Sequence, residues 1–261
     1  MVLQACDGKW SGLADGGAFL MLYNISNIEL QRDKVLSFIR ERGYKRVVDV
    51  GGGLGPWACD VVSHYVDLQS REEVLKAGVD NEICKATYLT CDIGNPFTWT
   101  EVEKEVHDNG KFDFVICTQT LEHIGSPSIA LSFLQKLGDI GFVSVPSKYI
   151  ELKRGVQFTD EGLRRCKVRS RAGTYGSPWR GFLPHKWICT VRNGGIWFWP
   201  KLNFLEYLEE LEWADNWPHD VELSFWWAGD IPRFVVPDSF IDHPDPQKAC
   251  ELYRKELEVG L

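Results

Sequence analysis

The segment 46–57 constrains the fold of this chain more than any other stretch, because an apolar run leads directly into closely spaced glycines. Its sequence, RVVDVGGGLGPW, contains one carboxylate, Asp49, and then glycines at positions 51, 53 and 55. Such a run predicts a buried strand that ends in a tight turn, where the backbone passes close to a ligand. Ligands of open parallel sheets bind at the carboxyl ends of strands, so the segment predicts a site for a nucleotide-like cofactor.

The following sequence alternates between apolar runs and helical patterns. Strands are predicted at 64–68, 86–91, 112–117 and 141–146, and helices are predicted behind the capping-box pattern at 26–29, ending near Gly43, and from about 125 to 137. This alternation predicts an α/β fold with a doubly wound, mostly parallel, Rossmann-like sheet.

The sequence changes character after Pro146. Asn193-Gly194 separates two β-like runs and predicts a tight antiparallel hairpin. A further strand pair is predicted at 221–227 and 232–236, so the aromatic-rich C-terminal half is expected to continue the sheet.

Length and composition indicate a single domain. The 261 residues are 44% hydrophobic, which is enough to bury a substantial core. We expect an N-terminal arm at 1–24, a cofactor-binding core at 25–147 and a substrate-facing elaboration at 148–261. The sequence leaves open the oligomeric state and whether the chain is a fragment of a larger protein.

Charge and cysteine content limit the binding partners and the cellular compartment that can be expected for this protein. The net charge of -8 gives no overall basic surface for nucleic acid, and only the run 164–171 is locally basic, either as a solvated face or as a contact for an anionic substrate. The eight cysteines form no CxxC pair, and Cys91, Cys117 and Cys189 lie in apparent strands as small hydrophobes. Without a signal peptide or a membrane-spanning apolar run, a reducing, cytoplasmic location is expected.

Two carboxylates mark the ends of the next two predicted strands. Asp67 ends one strand, and Asp92 directly follows the other. A carboxylate at the first position can accept both hydroxyls of a ribose. One at the second can meet an adenine amino group, with Ile93 against the ring. The alternative is that both are solvated loop acids.

Residues 28–147 resemble the class I S-adenosylmethionine-dependent methyltransferases. The resemblance rests on the glycine-rich turn, on the two strand-end carboxylates, and on the motifs Phe112-Asp113-Phe114-Val115 and Thr120-Leu121-Glu122-His123-Ile124. The resemblance implies S-adenosyl-L-methionine as the cofactor. It also implies a cofactor site at the ends of successive strands, formed by Asp49, Gly51, Gly53, Asp67, Leu68, Asp92, Ile93, Thr118 and Gln119.

The rival cofactor is a nicotinamide dinucleotide, since dehydrogenases also use a glycine-rich turn. A pyrophosphate needs amides that point at it from a helix N-terminus. Here Pro56 follows the last glycine and removes one amide, and no Tyr-x-x-x-Lys pair is present to serve hydride transfer. The sequence therefore favours a methyltransferase.

A second set of motifs is similar to a methyltransferase subgroup linked to glycan assembly. The set comprises Val145-Pro146-Ser147, Glu151, His185-Lys186-Trp187 and Trp199-Pro200-Lys201. This resemblance implies that the acceptor is a hydroxyl of a sugar in a glycan.

The candidate catalytic residues are His123, His185 and Glu151. Either histidine can remove a proton near neutral pH, and Glu151 can orient His185. The alternatives are that His123 packs beneath the sheet edge, that His185 tethers a loop and that Glu151 is solvated. A His–Glu pair can also hold a divalent metal, but no Asp-Asp or His-x-His spacing supports a dedicated metal cage, and no metal is predicted.

Further residues and functions remain as hypotheses. Trp197 and Trp199 are expected in the core, Trp179 is expected to be partly exposed, and Arg180 is a candidate phosphate ligand. The competing functions are methylation of a phenol or carboxylate on a small molecule, and a non-catalytic cofactor-binding domain that serves in assembly. Nucleic-acid methylation is disfavoured by the acidic charge.

Overall fold

The structure, a computed structural model, describes the chain in several stretches. These are residues 20–26, 28–55, 60–78, 85–154, 180–182, 184–192, 194–202, 205, 222–236, 248, 251 and 253–255.

The described residues form ten strands and five helices. The strands are β1 (Leu20–Ser26), β2 (Val47–Val50), β3 (His64–Asp67), β4 (Thr87–Thr90), β5 (Phe114–Thr118), β6 (Ile140–Pro146), β7 (Trp187–Arg192), β8 (Gly195–Pro200), β9 (Glu222–Ala228) and β10 (Arg233–Val235). The helices are α1 (Ile28–Arg42), α2 (Arg71–Lys76), α3 (Thr100–Asn109), α4 (Pro127–Leu137) and α5 (Lys148–Leu152).

Seven strands form the main sheet in the order β1-β9-β6-β5-β2-β3-β4. Strand β9 runs antiparallel to both of its neighbours, and the pairs from β6 through β4 are parallel. The chain runs outward from β2 through β3 to β4 and then returns to β5 on the other side of β2. Such a reversal opens a crevice at the carboxyl ends of the strands. The predicted doubly wound α/β fold is confirmed.

Apolar side chains cover both faces of this sheet. On one face Val35, Phe38 and Ile39 of α1 pack with residues of β2 and β5, and on the other Leu131 and Leu134 of α4 pack with residues of β5 and β6. Adjacent residues of a strand point to opposite faces. Trp226 and Trp227 of β9 accordingly belong to the apolar clusters on opposite faces of the sheet, so this one strand contributes a large side chain to each cluster.

The first helix ends where the sequence predicts. Gly43 has φ +67, a conformation that favours glycine, and its amide donates to the carbonyl of Arg40 at 3.1 Å. The amide of Tyr44 donates to the carbonyl of Ile39 at 3.2 Å, which completes a glycine C-cap. Residues 20–26, which include the last residues of the predicted N-terminal arm, form the edge strand β1, and residues 1–19 lie outside the described region.

The C-terminal strands correct one prediction. The hairpin of β7 and β8 forms as expected, with Gly194 at φ +73 in its turn, but it belongs to a separate sheet of order β10-β8-β7. The runs expected to pair with each other join different sheets, since β9 enters the main sheet and β10 lies parallel to β8. Arg233 of β10 donates to Ser132 and Gln135 of α4, which fixes the second sheet over this helix.

Two further expectations are tested by burial and hydropathy. The thiols of Cys91, Cys117 and Cys189 are free and buried, as small hydrophobes would be. In the parts of the chain that the structure describes, we find no helix with the length and apolar character needed to cross a bilayer.

Candidate active site

A cavity of about 680 Å³ lies at the carboxyl ends of β2, β3, β4 and β5. Seven of the nine residues predicted to bind the cofactor line it: Gly51, Asp67, Leu68, Asp92, Ile93, Thr118 and Gln119. His123 lines it as well, so a candidate catalytic side chain shares the wall with the predicted cofactor residues.

The turn after β2 leaves no space for side chains at three successive positions. A Cβ on Gly51, which has φ +82, would lie 2.1 Å from Oγ1 of Thr120. On Gly52 it would lie 2.2 Å from Oδ2 of Asp49, and on Gly53 it would lie 2.7 Å from Oδ2 of Asp67. Sequence reasoning missed Gly52, whereas a Cβ on Gly55 would meet nothing within 4 Å.

Asp49 and Gly53, also predicted to bind the cofactor, lie behind the cavity wall. The Asp49 side chain is fully buried beneath the turn, and neither oxygen has a hydrogen-bond partner among the described residues. Burial, together with the nearby charge of Asp67, raises the pKa of Asp49 to about 7. The two residues therefore shape the turn and do not form its surface.

Asp67 is held in a fixed orientation at the cavity wall. Its Oδ2 accepts from the amide of Gly53 at 2.9 Å, and its Oδ1 accepts from the amide of Gln69 at 3.0 Å. Each carboxylate oxygen has a second lone pair available for another donor. Both oxygens can therefore accept from a vicinal diol at the cavity.

The next strand end supplies a second carboxylate and an apolar wall. Oδ1 of Asp92 accepts from the amide of Gly94 at 2.9 Å, and the main-chain carbonyl of Asp92 accepts from Nε1 of Trp99 at 3.2 Å. Ile93 is 4% exposed and packs into the main core cluster. This end of the cavity therefore pairs an oriented acceptor with an apolar surface.

The loop after β5 is tightly wound. Gln119 has φ 51, which is uncommon for a residue other than glycine, and its amide donates to the carbonyl of Ser144 at 2.9 Å. Oγ1 of Thr120 donates to the carbonyl of Thr118 at 2.9 Å. A short 3₁₀ turn over Leu121–His123 follows and brings His123 to the cavity. Strained backbone of this kind is typical of functional sites.

The structure brings together the two residues predicted to act as a pair, His185 and Glu151. Nδ1 of His185 lies 2.6 Å from Oε1 of Glu151, and Lys201 donates to the other carboxylate oxygen. Burial opposes ionisation of Glu151, but the charges and hydrogen bonds of Lys201 and His185 outweigh it and lower its pKa. Glu151 is buried, so the alternative that it is solvated is wrong.

Main-chain contacts attach His185 to the β5 loop. The amide of Lys186 donates to the carbonyl of Glu122 at 2.7 Å, and Nε1 of Trp187 donates to the carbonyl of Ile124 at 2.6 Å. The rings of His123 and His185 consequently meet edge to face, with centroids 4.5 Å apart. Burial, followed by the neighbouring His185, lowers the pKa of His123, which favours its neutral form.

Glu122 is the residue whose environment the sequence did not indicate. Its side chain is fully buried, neither oxygen has a hydrogen-bond partner in the described part of the chain, and Oε1 lies 4.0 Å from Nε2 of His185. Burial and the charges of Glu151 and Glu222 raise its pKa well above the usual range. Its position between Leu121 and His123 gives no local signal of this burial.

Three secondary predictions have mixed outcomes. Arg180 is 1% exposed and donates to the carbonyls of Leu205 and Leu152, so its assignment as a phosphate ligand is wrong. Trp199 is buried as expected, whereas Trp197 is only partly buried. Trp179 and the basic run 164–171 lie outside the described residues.

Several solved structures are similar to this chain, all at low identity. The methyltransferase domain of bacterial CtHen1 is 13% identical with a TM-score of 0.40, over 77% of this chain and 100% of that chain. The small RNA methyltransferase HEN1 is 15% identical with a TM-score of 0.41, over 79% of this chain and 26% of that chain. A possible histamine N-methyltransferase from Thermotoga maritima is 13% identical with a TM-score of 0.32, over 71% of this chain and 82% of that chain. No curated protein matches the chain.

The family comparison is more decisive. The family model described as a methyltransferase domain matches residues 23–215, well over half of the chain. Its span includes the glycine turn, the strand-end carboxylates and the His–Glu pair. The chain therefore belongs to this family of methyltransferase domains, with S-adenosylmethionine as its methyl donor.

Proposed function

We propose that this methyltransferase transfers a methyl group to a hydroxyl of a sugar in a glycan or glycoconjugate. The observation that carries the proposal is the buried pair of His185 and Glu151 beside the cavity wall formed by His123. A hydroxyl must lose its proton as it is methylated, and a histidine oriented by a carboxylate is suited to promote that loss near neutral pH.

The cavity fits the cofactor that the family requires. The turn at 51–53 has no room for any Cβ, and Gly51 and Gly52 present bare backbone to the cavity. We assign the ribose hydroxyls to Asp67, whose oxygens retain acceptor capacity, and the adenine to Asp92 and Ile93. Gly51, Leu68, Thr118 and Gln119 complete the wall. When bound, S-adenosylmethionine supplies a methyl group on a cationic sulfur, which keeps the electron pair of the bond that breaks.

Glu151 supports the proton-transfer assignment through the tautomer of His185. Because Glu151 accepts at Nδ1, the proton of the neutral imidazole lies on Nδ1 and the lone pair lies on Nε2. Nε2 is the atom that faces Glu122, at 4.0 Å. The lone pair is therefore directed toward Glu122, the chain neighbour of His123, which lines the cavity. His123 is the second residue able to take part.

The choice of a sugar acceptor rests on the subgroup resemblance. Its motif residues Glu151, His185 and Lys201 are widely spaced in the sequence, yet they form one hydrogen-bonded group. A shared role in removing the proton of the acceptor hydroxyl would explain why the motifs that contain these three residues occur together. The aromatic C-terminal half adds apolar surface, since Trp197 and Phe234 stack at 4.6 Å and Phe234 is 46% exposed. Aromatic faces of this kind pack well against the C–H edges of sugars.

The direct test compares glycans from cells with and without the protein by mass spectrometry. The proposal expects one methyl substitution per modified sugar to disappear when the gene is deleted and to return with the wild-type chain. If the methyl substitution also returned with His185→Ala, and that variant still bound S-adenosylhomocysteine, the result would contradict the catalytic assignment of His185. An unchanged glycan, together with methylation of a phenol by the purified protein, would favour a small-molecule acceptor instead.

A further inference from the structure

Three side chains from two distant segments converge beside the cofactor cavity. Glu122, His123 and His185 each offer one metal-ligating atom, and these atoms lie within 4.8 Å of one another. Glu122 and His123 come from the 3₁₀ turn after β5, and His185 precedes β7. His123 also lines the cavity, so this member of the cluster can contact a molecule bound there.

The Glu122 carboxylate requires a partner that the described residues do not supply. Its side chain is fully buried, and neither oxygen accepts a hydrogen bond from the described part of the chain. An unpaired buried carboxylate is strongly unfavourable. Nε2 of His185 lies 4.0 Å from Oε1 of Glu122, while Lys201 is engaged by Glu151. The carboxylate is therefore directed at the position that a cation would neutralise.

The surrounding hydrogen bonds prepare both imidazoles as ligands. Glu151 accepts at Nδ1 of His185 and leaves the Nε2 lone pair toward Glu122. The carbonyl of Pro184 accepts from the His123 ring. A carboxylate or carbonyl that holds the far nitrogen of a metal-binding histidine is the usual arrangement around protein metal sites.

We propose that Glu122, His123 and His185 bind one divalent cation, and that this cation holds the hydroxyl to be methylated. Two imidazoles and one carboxylate suit first-row transition metals such as Mn²⁺, Co²⁺ or Zn²⁺ better than Ca²⁺. Metal–ligand bonds are about 2.1 Å long, so opposite ligands lie roughly 4.2 Å apart. The three ligand atoms lie within 4.8 Å of one another, close to that span.

The cation adds a specific step to the proposed function, on which this inference rests. The acceptor oxygen binds the cation, its pKa falls, and its proton passes to water. The freed electron pair then forms the ether bond to the methyl carbon. His185 then acts as a ligand held by Glu151 and no longer as the base, because the cation takes over the promotion of proton loss. Remaining coordination positions suit a second hydroxyl, so a vicinal diol of a sugar is the preferred acceptor.

The test is a titration of untagged protein with Mn²⁺, followed by the loss of the free-ion electron paramagnetic resonance signal, with no acceptor present. We expect one Mn²⁺ per chain, and affinity lowered on the order of 10-fold or more in Glu122→Gln and in His185→Ala. The matched control is His107→Ala, whose side chain is 87% exposed. His123→Ala, at an exposed position, keeps the test valid if a buried variant fails to fold.

A second readout separates metal binding from folding. Glu122→Gln removes an unpaired buried carboxylate, so it should raise the melting temperature of the metal-free protein while abolishing the increase that Mn²⁺ gives the wild type. Absence of Mn²⁺ binding by the wild type, or equal binding by Glu122→Gln, would overturn the inference. Methyl transfer that continues undiminished after chelation would also overturn it and leave the proposed function intact. Mn²⁺ binding without any sugar methylation would instead contradict only the proposed acceptor.

Discussion

Nδ1 of His185 lies 2.6 Å from Oε1 of Glu151, although the two residues are 34 positions apart in the chain. Glu151 lies in α5, which directly follows strand β6. The hydrogen bond from the Lys186 amide to the Glu122 carbonyl attaches the segment before β7, the first strand of the second sheet, to the loop after β5. The position of the candidate catalytic residues thus depends on the contact between the two sheets.

The first prediction concerns Glu151→Gln. The amide cannot stabilise a charged or correctly oriented His185 as the carboxylate does, so kcat should fall about 100-fold while cofactor affinity is unchanged. Steady-state transfer to the identified acceptor measures the first quantity, and calorimetry with S-adenosylhomocysteine measures the second. Glu103→Gln, which removes only a surface ion pair with Lys136, serves as the control. Wild-type kcat in Glu151→Gln would show that the pair is not part of the reaction.

The second prediction compares two glycines of the same turn. A Cβ at Gly52 would approach Oδ2 of Asp49 to 2.2 Å, whereas one at Gly55 would meet nothing within 4 Å. Gly52→Ala should therefore cost about 1–3 kcal/mol of folding free energy, and Gly55→Ala should cost little. Urea unfolding without cofactor provides both values. Equal effects at the two positions would mean that the turn is not packed against Asp49.

The third prediction is a pH dependence of stability. Burial raises the pKa of Asp49 to about 7, above its value of about 3.9 in unfolded chains. A raised carboxyl pKa stabilises the fold fully below pH 4, and that contribution is lost as the pH rises through about 7. The Asp49→Asn variant lacks this dependence, so its stability relative to the wild type should increase between pH 4 and pH 8, by on the order of 4 kcal/mol at most.

Urea unfolding of both proteins across this pH range tests the prediction. The comparison isolates Asp49 because the remaining titrating groups, including Glu222, are common to both proteins. Parallel stability curves, or a relative loss of stability for Asp49→Asn at high pH, would contradict the described burial.

Local sequence patterns predicted the parallel core and much of the cofactor wall. Buried runs such as Val47–Val50 and Phe114–Thr118 are mostly apolar, as central parallel strands are, so the polar residues Asp49 and Thr118 stand out within them. The parallel arrangement then brings Asp67 and Asp92 to one edge of the sheet, where both line the cavity.

Long-range pairing could not be predicted in this way. Strand β1 pairs with β9, about 200 residues further along the chain, and no local pattern indicates that partner. The expectation that β9 and β10 pair relied on their proximity in sequence, but Gly229, at φ +77, lies in the connection that carries the chain to the other sheet.

The burial of charged residues was the second feature that could not be predicted from the sequence. Arg180 and Glu122 look like surface residues in the sequence because long polar side chains are usually exposed. Their burial depends on contacts with segments far away in the chain, such as the carbonyl of Leu205 for Arg180. The sequence did not indicate the proposed metal-binding cluster around Glu122 for the same reason.

The central claim is that strand-end carboxylates hold the cofactor in the cavity, with Asp67 bonded to the amides of Gly53 and Gln69 and open to a ribose diol. Calorimetric titration of S-adenosylhomocysteine into wild-type protein and Asp67→Ala tests it most directly. We predict one binding site per chain and an affinity at least about 10-fold weaker in the variant, which corresponds to a loss of about 1.4 kcal/mol. Equal affinity in the two proteins would contradict the account.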